Sequence, residues 1–427
     1  MKIRLLGCCS LGLILTWVGA LHADGVVRDS IGAISSGRGG ANIGYADNGA
    51  SLHSNPASMT NIRGKGLWEI GVDTLFTDLD YRDPQNTGAR AEFEPLGIPM
   101  LSVMQKSDDG RWAAGFGVFV PAGFTARWDL NNPPPFPGSS TYKSIGGLIK
   151  ILPGIAYQVD DRLSIGATVG AAISHAELEG PFVLQTGMLA GVPTRLDLQA
   201  TGVTPTWSVG LQYLLSERTT LGVVYTSEDR FRLDGSARAD VFGLAPIPLQ
   251  SSFDAEVDLV WPRSLGVGIQ HIVAPRHRVG ADVIWYDWSS AFDQLDLKLS
   301  NPSNPMFAAL GPRIQDTFPL DWEDSISVRA GYEYFCTPCD IFRLGYVFNS
   351  DTIPNSTLTP YIPAILDHTI STGYSRLWRD YAFNIAYQYA FGSDRHVGDS
   401  AIIGGDFDNS YFKSQAHWLF LSIARQW

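Results

Sequence analysis

From Leu67 onward, large apolar residues recur at every second position, which is the spacing of strands and not of helices. In "RLSIGATVGAAIS", one face carries Leu163, Ile165, Ala167, Val169, Ala171 and Ile173, and the other carries Ser164, Gly166, Thr168, Gly170 and Ala172. In "YAFNIAYQYAF", Tyr381, Phe383, Ile385, Tyr387, Tyr389 and Phe391 oppose Ala382, Asn384, Ala386, Gln388 and Ala390. "SISVRAGYEYF" sets Ile326, Val328, Ala330, Tyr332 and Tyr334 against Ser327, Arg329, Gly331 and Glu333, so charge falls on the face away from the apolar one. Strands are predicted near 67–79, 96–106, 112–121, 144–158, 163–179, 203–215, 221–234, 253–273, 279–289, 324–335, 341–349, 367–378, 381–391 and 416–427.

That makes fourteen strands. A soluble sandwich also alternates, with its apolar face turned into a core. A membrane barrel reverses the sense and turns the apolar, aromatic face to lipid. The connections favour the barrel. "SDDGR", "VDDR", "SERT", "APRHR", "CTPC" and "RD" are tight polar turns, and they alternate with long stretches such as "DLNNPPPFPGSS" and the segment from Ser289 to Trp322. An even strand count with short turns at one end and long loops at the other is the outer-membrane pattern. The chain closes on "AHWLFLSIARQW", an aromatic strand of the kind that outer-membrane assembly machinery recognises, although Arg425 interrupts its apolar face.

Fourteen strands enclose a lumen too wide for wall side chains to fill. The stretch "SSGRGGANIGYADNGASLHSNPA" is left over in front of the first strand. It is not a phosphate loop, because Gly37, Gly39, Gly40 and Gly44 do not give G-x-G-x-x-G and no strand and helix flank it. It reads instead as a plug inside the barrel, glycine-rich because space there is short. The expected organisation is a signal peptide over 1–23, a hatch over 24–65 and a transmembrane antiparallel barrel over 66–427.

The leader "MKIRLLGCCSLGLILTWVGALHA" places Lys2 and Arg4 before a short apolar run that ends in small residues at Ala20 and Ala23, as in an exported protein. The formal charge of −12, two units more negative without Lys2 and Arg4, argues against nucleic acid as a partner. Beyond the leader only Cys336 and Cys339 remain of the four cysteines. Residues i and i+3 of a turn lie within ~7 Å, and the periplasm is oxidising, so a disulfide is expected across "CTPC". No G-x-S-x-G is present, His53, Ser54 and Asn55 crowd one local turn, and His271 and His277 flank a turn without further ligands. Neither catalysis, nor a metal, nor a cofactor is expected. In "WAAGFGVFVPAGF", Pro121 removes a ladder N–H and Gly123 removes side-chain cover, so the third strand either kinks away from a neighbour there or ends at Val120 with Pro121 opening an extracellular loop.

The chain also resembles the FadL-type outer-membrane transporters of long-chain fatty acids and other hydrophobic compounds, including the TodX-like aromatic hydrocarbon channels. The likeness rests on "GRGGANIGYADNGASLHSNPASM" with its Asn55-Pro56-Ala57 element, and on "VPAGF", "ILPGIAYQVDDRLSIG", "LGVVYTSEDRFRLDG", "VIWYDWSSAF" and "RLGYVFNSDTIP" in family order. Pro-Ala-Gly replaces the usual Pro-Phe-Gly, and the terminal aromatic is Trp427 where Phe is commoner. The resemblance implies passive uptake in the outer membrane of a Gram-negative bacterium. A hydrophobic ligand would be captured among extracellular loops beside lipopolysaccharide, pass the hatch at Gly37, Gly39, Gly40, Asn55, Pro56 and Ala57, and leave sideways into lipid near Pro121 and Gly123. A monomer without an energy-coupling partner is implied. A polar-solute porin, which Arg329, Glu333 and Arg343 in the lumen would suit, and an adhesin-like barrel are the alternatives.

Overall fold

The structure is a computed structural model that describes residues 26–186, 189–243, 248–310, 313–403 and 407–427. The expected signal peptide, 1–23, lies outside them. Every strand has an antiparallel partner on each side, and the last closes on the first: Leu67 to Arg82 run against Gln426 to Tyr411. The result is a closed barrel of fourteen strands. They are β1 (Gly66–Arg82), β2 (Leu96–Lys106), β3 (Trp112–Asn131), β4 (Ser139–Gln158), β5 (Leu163–Val183) and β6 (Pro193–Ser216). Four interrupted strands follow: β7 (Thr219–Thr226, Asp229–Val241), β8 (Leu249–Trp261, Ser264–Ala274), β9 (His277–Tyr286, Gln294–Ser300) and β10 (Arg313–Pro319, Ser325–Phe335). The ring ends with β11 (Asp340–Asn349), β12 (His368–Trp378), β13 (Tyr381–Phe391) and β14 (Ser410–Gln426).

The sense of the alternation identifies the solvent. On β5, Val169 is 67% exposed on the outside while its neighbour Thr168 is 1% exposed inside. Ile385 and Leu421 likewise face out, and Asn384 and Gln388 face in. Large apolar residues outside and polar ones inside are what lipid requires. No helix of the described residues is long and apolar enough to cross a membrane.

The strands outrun the sequence-predicted limits at their extracellular ends. β3 does not stop near Val120 but continues to Asn131, and Ser289 to Trp322 is not all loop, since Gln294–Ser300 and Arg313–Pro319 extend the wall. These extensions stand beyond lipid and alternate about a different core: Trp128, Leu196, Leu198, Phe253 and Leu297 pack inward in one apolar cluster. An outward polar face there has water, not lipid, beside it.

Residues 26–65 pack against the inner wall, and wall glycines make the room. A Cβ on Gly331 of β10 would stand 2.5 Å from Arg38 O, one on Gly268 of β8 2.6 Å from Gly44 N, and one on Gly373 of β12 2.8 Å from Gly37 Cα. The fit is mutual, since a Cβ on Gly39 would meet Tyr346 N at 2.9 Å. Buried charge is matched across the same contact. Glu333 accepts from Arg343 (2.8 Å), Arg38 (3.3 Å) and Arg278 (3.3 Å), which offsets the cost of removing four ions from water.

Gly331→Val should overpack this contact at a cost of about 1–3 kcal/mol. The expected outcome is a barrel that loses heat-modifiable mobility at a lower temperature and whose amino-terminal segment is cut sooner by protease. Gly97→Val, whose Cβ would meet only Val72 at 3.8 Å, should leave both properties unchanged.

Candidate functional site

Among the described residues the wall pairing is interrupted at several places, as between β6 and β7 at 202–207 and between β8 and β9 at 259–263. The interruption between β2 and β3 is the one that the amino-terminal segment meets. β2 pairs with β3 only from Leu101–Val118 to Lys106–Ala113, while the upper residues of β2, Leu96 to Met100, pair with β1 alone. β3 turns away above Val118. Against β4 its register passes from Phe119–Lys150 to Ala122–Leu148, three residues forward for two back, so a bulge lies at Val120 and Pro121. Pro121 has no N–H to lose, and a bulge bends the strand that carries it.

The backbone groups that β3 turns from β2 are met by the amino-terminal segment. Val27 bridges Ala122 in antiparallel fashion. Arg28 N donates to Pro121 O at 2.9 Å, and Gly123 N donates to Val26 O at 3.0 Å. The Arg28 guanidinium donates to Val120 O at 3.0 Å and to Asp73 of β1 at 2.5 Å, and it lies 4.6 Å from the Trp418 ring centre. On the far side, Asp29 accepts from Asn349 (3.0 Å) and Thr369 (2.6 Å). The segment Val26 to Ser30 thus spans the lumen as a bar tied to opposite walls.

Cavities lie on both faces of the bar. One is lined by Leu75, Leu79, Phe124, Ala390, Ala416 and Trp418. The other is lined by His53, Pro121, Lys150, Asp229, Trp261 and Tyr286. A third lies nearer the extracellular end among Leu178, Leu196, Leu198, Leu259, Leu297 and Phe318. Phe124 lines the first and third and Trp261 the second and third, so the three adjoin. Burial, with Lys150, Arg329 and Arg28 nearby, pushes His53 down to about 3, so its ring is neutral.

The sequence-predicted residues fall into three places. Asn55 Oδ1 caps the turn at Pro56–Asn61 by accepting from Ala57 N (3.1 Å), while its Nδ2 donates to Ile43 O (2.9 Å) and Leu211 O (3.2 Å). Pro56 and Ala57 lie over Gly166 of β5, and Gly37, Gly39 and Gly40 lie on the opposite side against β10, β11 and β12. Asn55 therefore does not adjoin Pro121; Val26 to Arg28 do. Pro121 and Gly123 flank the bulge itself. Cys336 and Cys339 are unbridged thiols in the β10–β11 turn at the other end of the barrel. His271 shares a hydrogen bond with Thr219 (2.9 Å) and His277 with Tyr332 (2.7 Å), and among the described residues no His, Cys, Asp and Glu cluster could hold a metal.

Sequence reasoning missed the bar and its anchor Asp73. Alternation carried a signal: in "LWEIGVDTL" the acids Glu69 and Asp73 fall on the inward face, where each needs a partner.

No curated protein sequence matches the chain. Among solved structures it is similar to the toluene transporter TodX of Pseudomonas putida, with 21% identity, 93% of this chain and 99% of that one covered, and a TM-score of 0.80. A FadL homologue of Pseudomonas aeruginosa shares 17% identity over 94% and 99% of the two chains at a TM-score of 0.77. The toluene transporter TbuX of Ralstonia pickettii shares 18% over 93% and 99% at 0.74. These likenesses concern the fold. The sequence profile of a family described as outer membrane protein transport protein (OMPP1/FadL/TodX) matches residues 20–423, and the chain belongs to that outer-membrane transport family.

Proposed function

We propose that this protein is a passive channel for hydrophobic compounds, which enter from the extracellular end and leave sideways between β2 and β3. The observation that carries the reading is the bulge at Val120 and Pro121, where the wall opens and the chain's own residues 26–28 stand in the gap. The three adjoining cavities lead to it from outside. Lateral exit suits such a ligand, because the membrane interior favours apolar surface by ~25 cal/mol per Å². Two solved relatives in fold, TodX and TbuX, are named toluene transporters.

In this reading residues 26–65 form a hatch with a fixed and a yielding part. Asp73 is fully buried, so parting it from Arg28 would cost about 3–5 kcal/mol. The two backbone hydrogen bonds of Val26 and Arg28 to β3 contribute only about 0.5–1.5 kcal/mol each. A ligand bound at micromolar strength, about 8 kcal/mol, suffices to displace the latter. The gap then faces lipid with its backbone groups turned to ligand and a wet lumen. A general polar porin has no use for a lumen so filled. Capture beside lipopolysaccharide, recognition of the β14 aromatic end by assembly machinery, and a monomeric state belong to the same proposal.

Replacing Pro121 and Gly123 together by valine should restore a regular β3. The expected result is a barrel that assembles and binds ligand but takes up radiolabelled dodecanol no faster than cells lacking the protein. Undiminished uptake by the assembled variant would mean that the ligand leaves elsewhere. Cys336 and Cys339 are unbridged in this structure, and we further propose that their position at i and i+3 of one turn lets them join in the oxidising periplasm. In native, unreduced protein neither thiol should react with an alkylating reagent, and both should react after reduction; alkylation of both beforehand contradicts the bridge.

A further inference from the structure

Lys150 sits where an acidic ligand would be tested. It is opposite Phe119 in the β3–β4 pairing, one step before the bulge, and it lines the cavity that Pro121 borders. An ammonium at that position would serve as a counter-ion for a carboxylate on its way to the gap. It is already taken. Asp229 of β7 holds Lys150 Nζ at 2.7 Å, Thr206 accepts from it at 3.2 Å, and the side chains of Lys150 and Asp229 are 7% and 1% exposed.

The other cations along the route are likewise matched. Arg28 is bound to Asp73 at 2.5 Å, and Lys143, near the outer cavity, to Glu177 at 2.5 Å. Arg329 donates to Tyr286 and Ser327, both at 3.1 Å, and interacts with the carboxylate of Asp282. His53 is neutral. A second carboxylate brought to Lys150 would meet the Oδ1 of Asp229, a buried oxygen with no hydrogen-bond partner among the described residues. Burying an ion without compensation costs several kcal/mol, more than an alkyl chain gains from one or two further methylenes.

We propose that Asp229, by occupying Lys150, makes this channel selective for uncharged hydrophobic molecules over their carboxylates. The inference rests on the hydrophobic-channel reading and adds the residue that sets the class of substrate. Asp229 acts through Lys150 and is a specificity-determining residue, not a contact for the apolar part of the ligand.

The test uses the full-length protein in amphipol and two probes of equal chain length, dodecanol and dodecanoate, titrated calorimetrically at about pH 8, where the acid is ionised. Wild type should bind the alcohol at least about tenfold more tightly than the acid. Asp229→Asn frees Lys150 and should shift the acid-to-alcohol affinity ratio by about tenfold toward the acid. Adding Lys150→Met should return the ratio to the wild-type value. Equal binding of the two probes by wild type overturns the inference even if the variants fail to assemble. So does an unmoved ratio in an Asp229→Asn barrel that keeps its heat-modifiable mobility. Binding of neither probe instead overturns the hydrophobic-channel reading beneath it.

Discussion

In lipid a backbone N–H or C=O without a partner costs several kcal/mol, and every feature of this molecule follows from how that demand is met. Fourteen strands meet it by closing β14 onto β1. Between β2 and β3 the ring fails to close on itself. β3 leaves β2 above Val118, and the chain meets the exposed groups of Pro121 and Gly123 with residues 26–28, which come from inside the lumen and not from a neighbouring strand. A closure borrowed from a separate segment is weaker than one between wall strands, and in the proposed reading that difference is what lets this place open.

The same demand explains why the interior is built as it is. A segment can serve as a partner for the wall only if it is held against it, so the inner surface carries glycine at several places where the segment's backbone approaches closely, as at Gly268 and Gly331. Charges that hold it are buried on both sides and therefore matched: Arg28 with Asp73, and Arg38 and Arg343 with Glu333. Each cation spent in this way is one fewer for a ligand. The ion pairs that fix the interior and the preference for an uncharged cargo are thus two consequences of one arrangement.

The barrel was legible in the sequence because its signal is local. Period-two alternation in "RLSIGATVGAAIS" and "YAFNIAYQYAF" needs no knowledge of neighbours, and the tight turns mark where each strand ends. Pro121 announced the bulge for the same reason, since a missing N–H is a property of the residue itself. The extracellular extensions escaped because Trp128 and Leu196 face a protein core beyond the membrane, where the rule for reading faces changes. The bar escaped because Val26 to Arg28 are unremarkable until they meet Ala122 and Asp73, and the Lys150–Asp229 pair escaped because strands distant in sequence bring it together. Glycines on the wall were read as part of the small face of each strand, and only the neighbouring backbone shows what they make room for.

The central claim, that residues 26–28 close the gap in β3 and must leave it for cargo to pass, is tested most directly by tying them there. Val27 and Ala122 form an antiparallel bridge, so Val27→Cys with Ala122→Cys, in a chain whose Cys336 and Cys339 are replaced by serine, sets two thiols across the closure. Uptake of radiolabelled dodecanol is then measured in cells before and after a reductant. The account predicts background uptake while the bridge is oxidised and recovery on reduction. Equal uptake in the two states, with the cross-link verified, would contradict it.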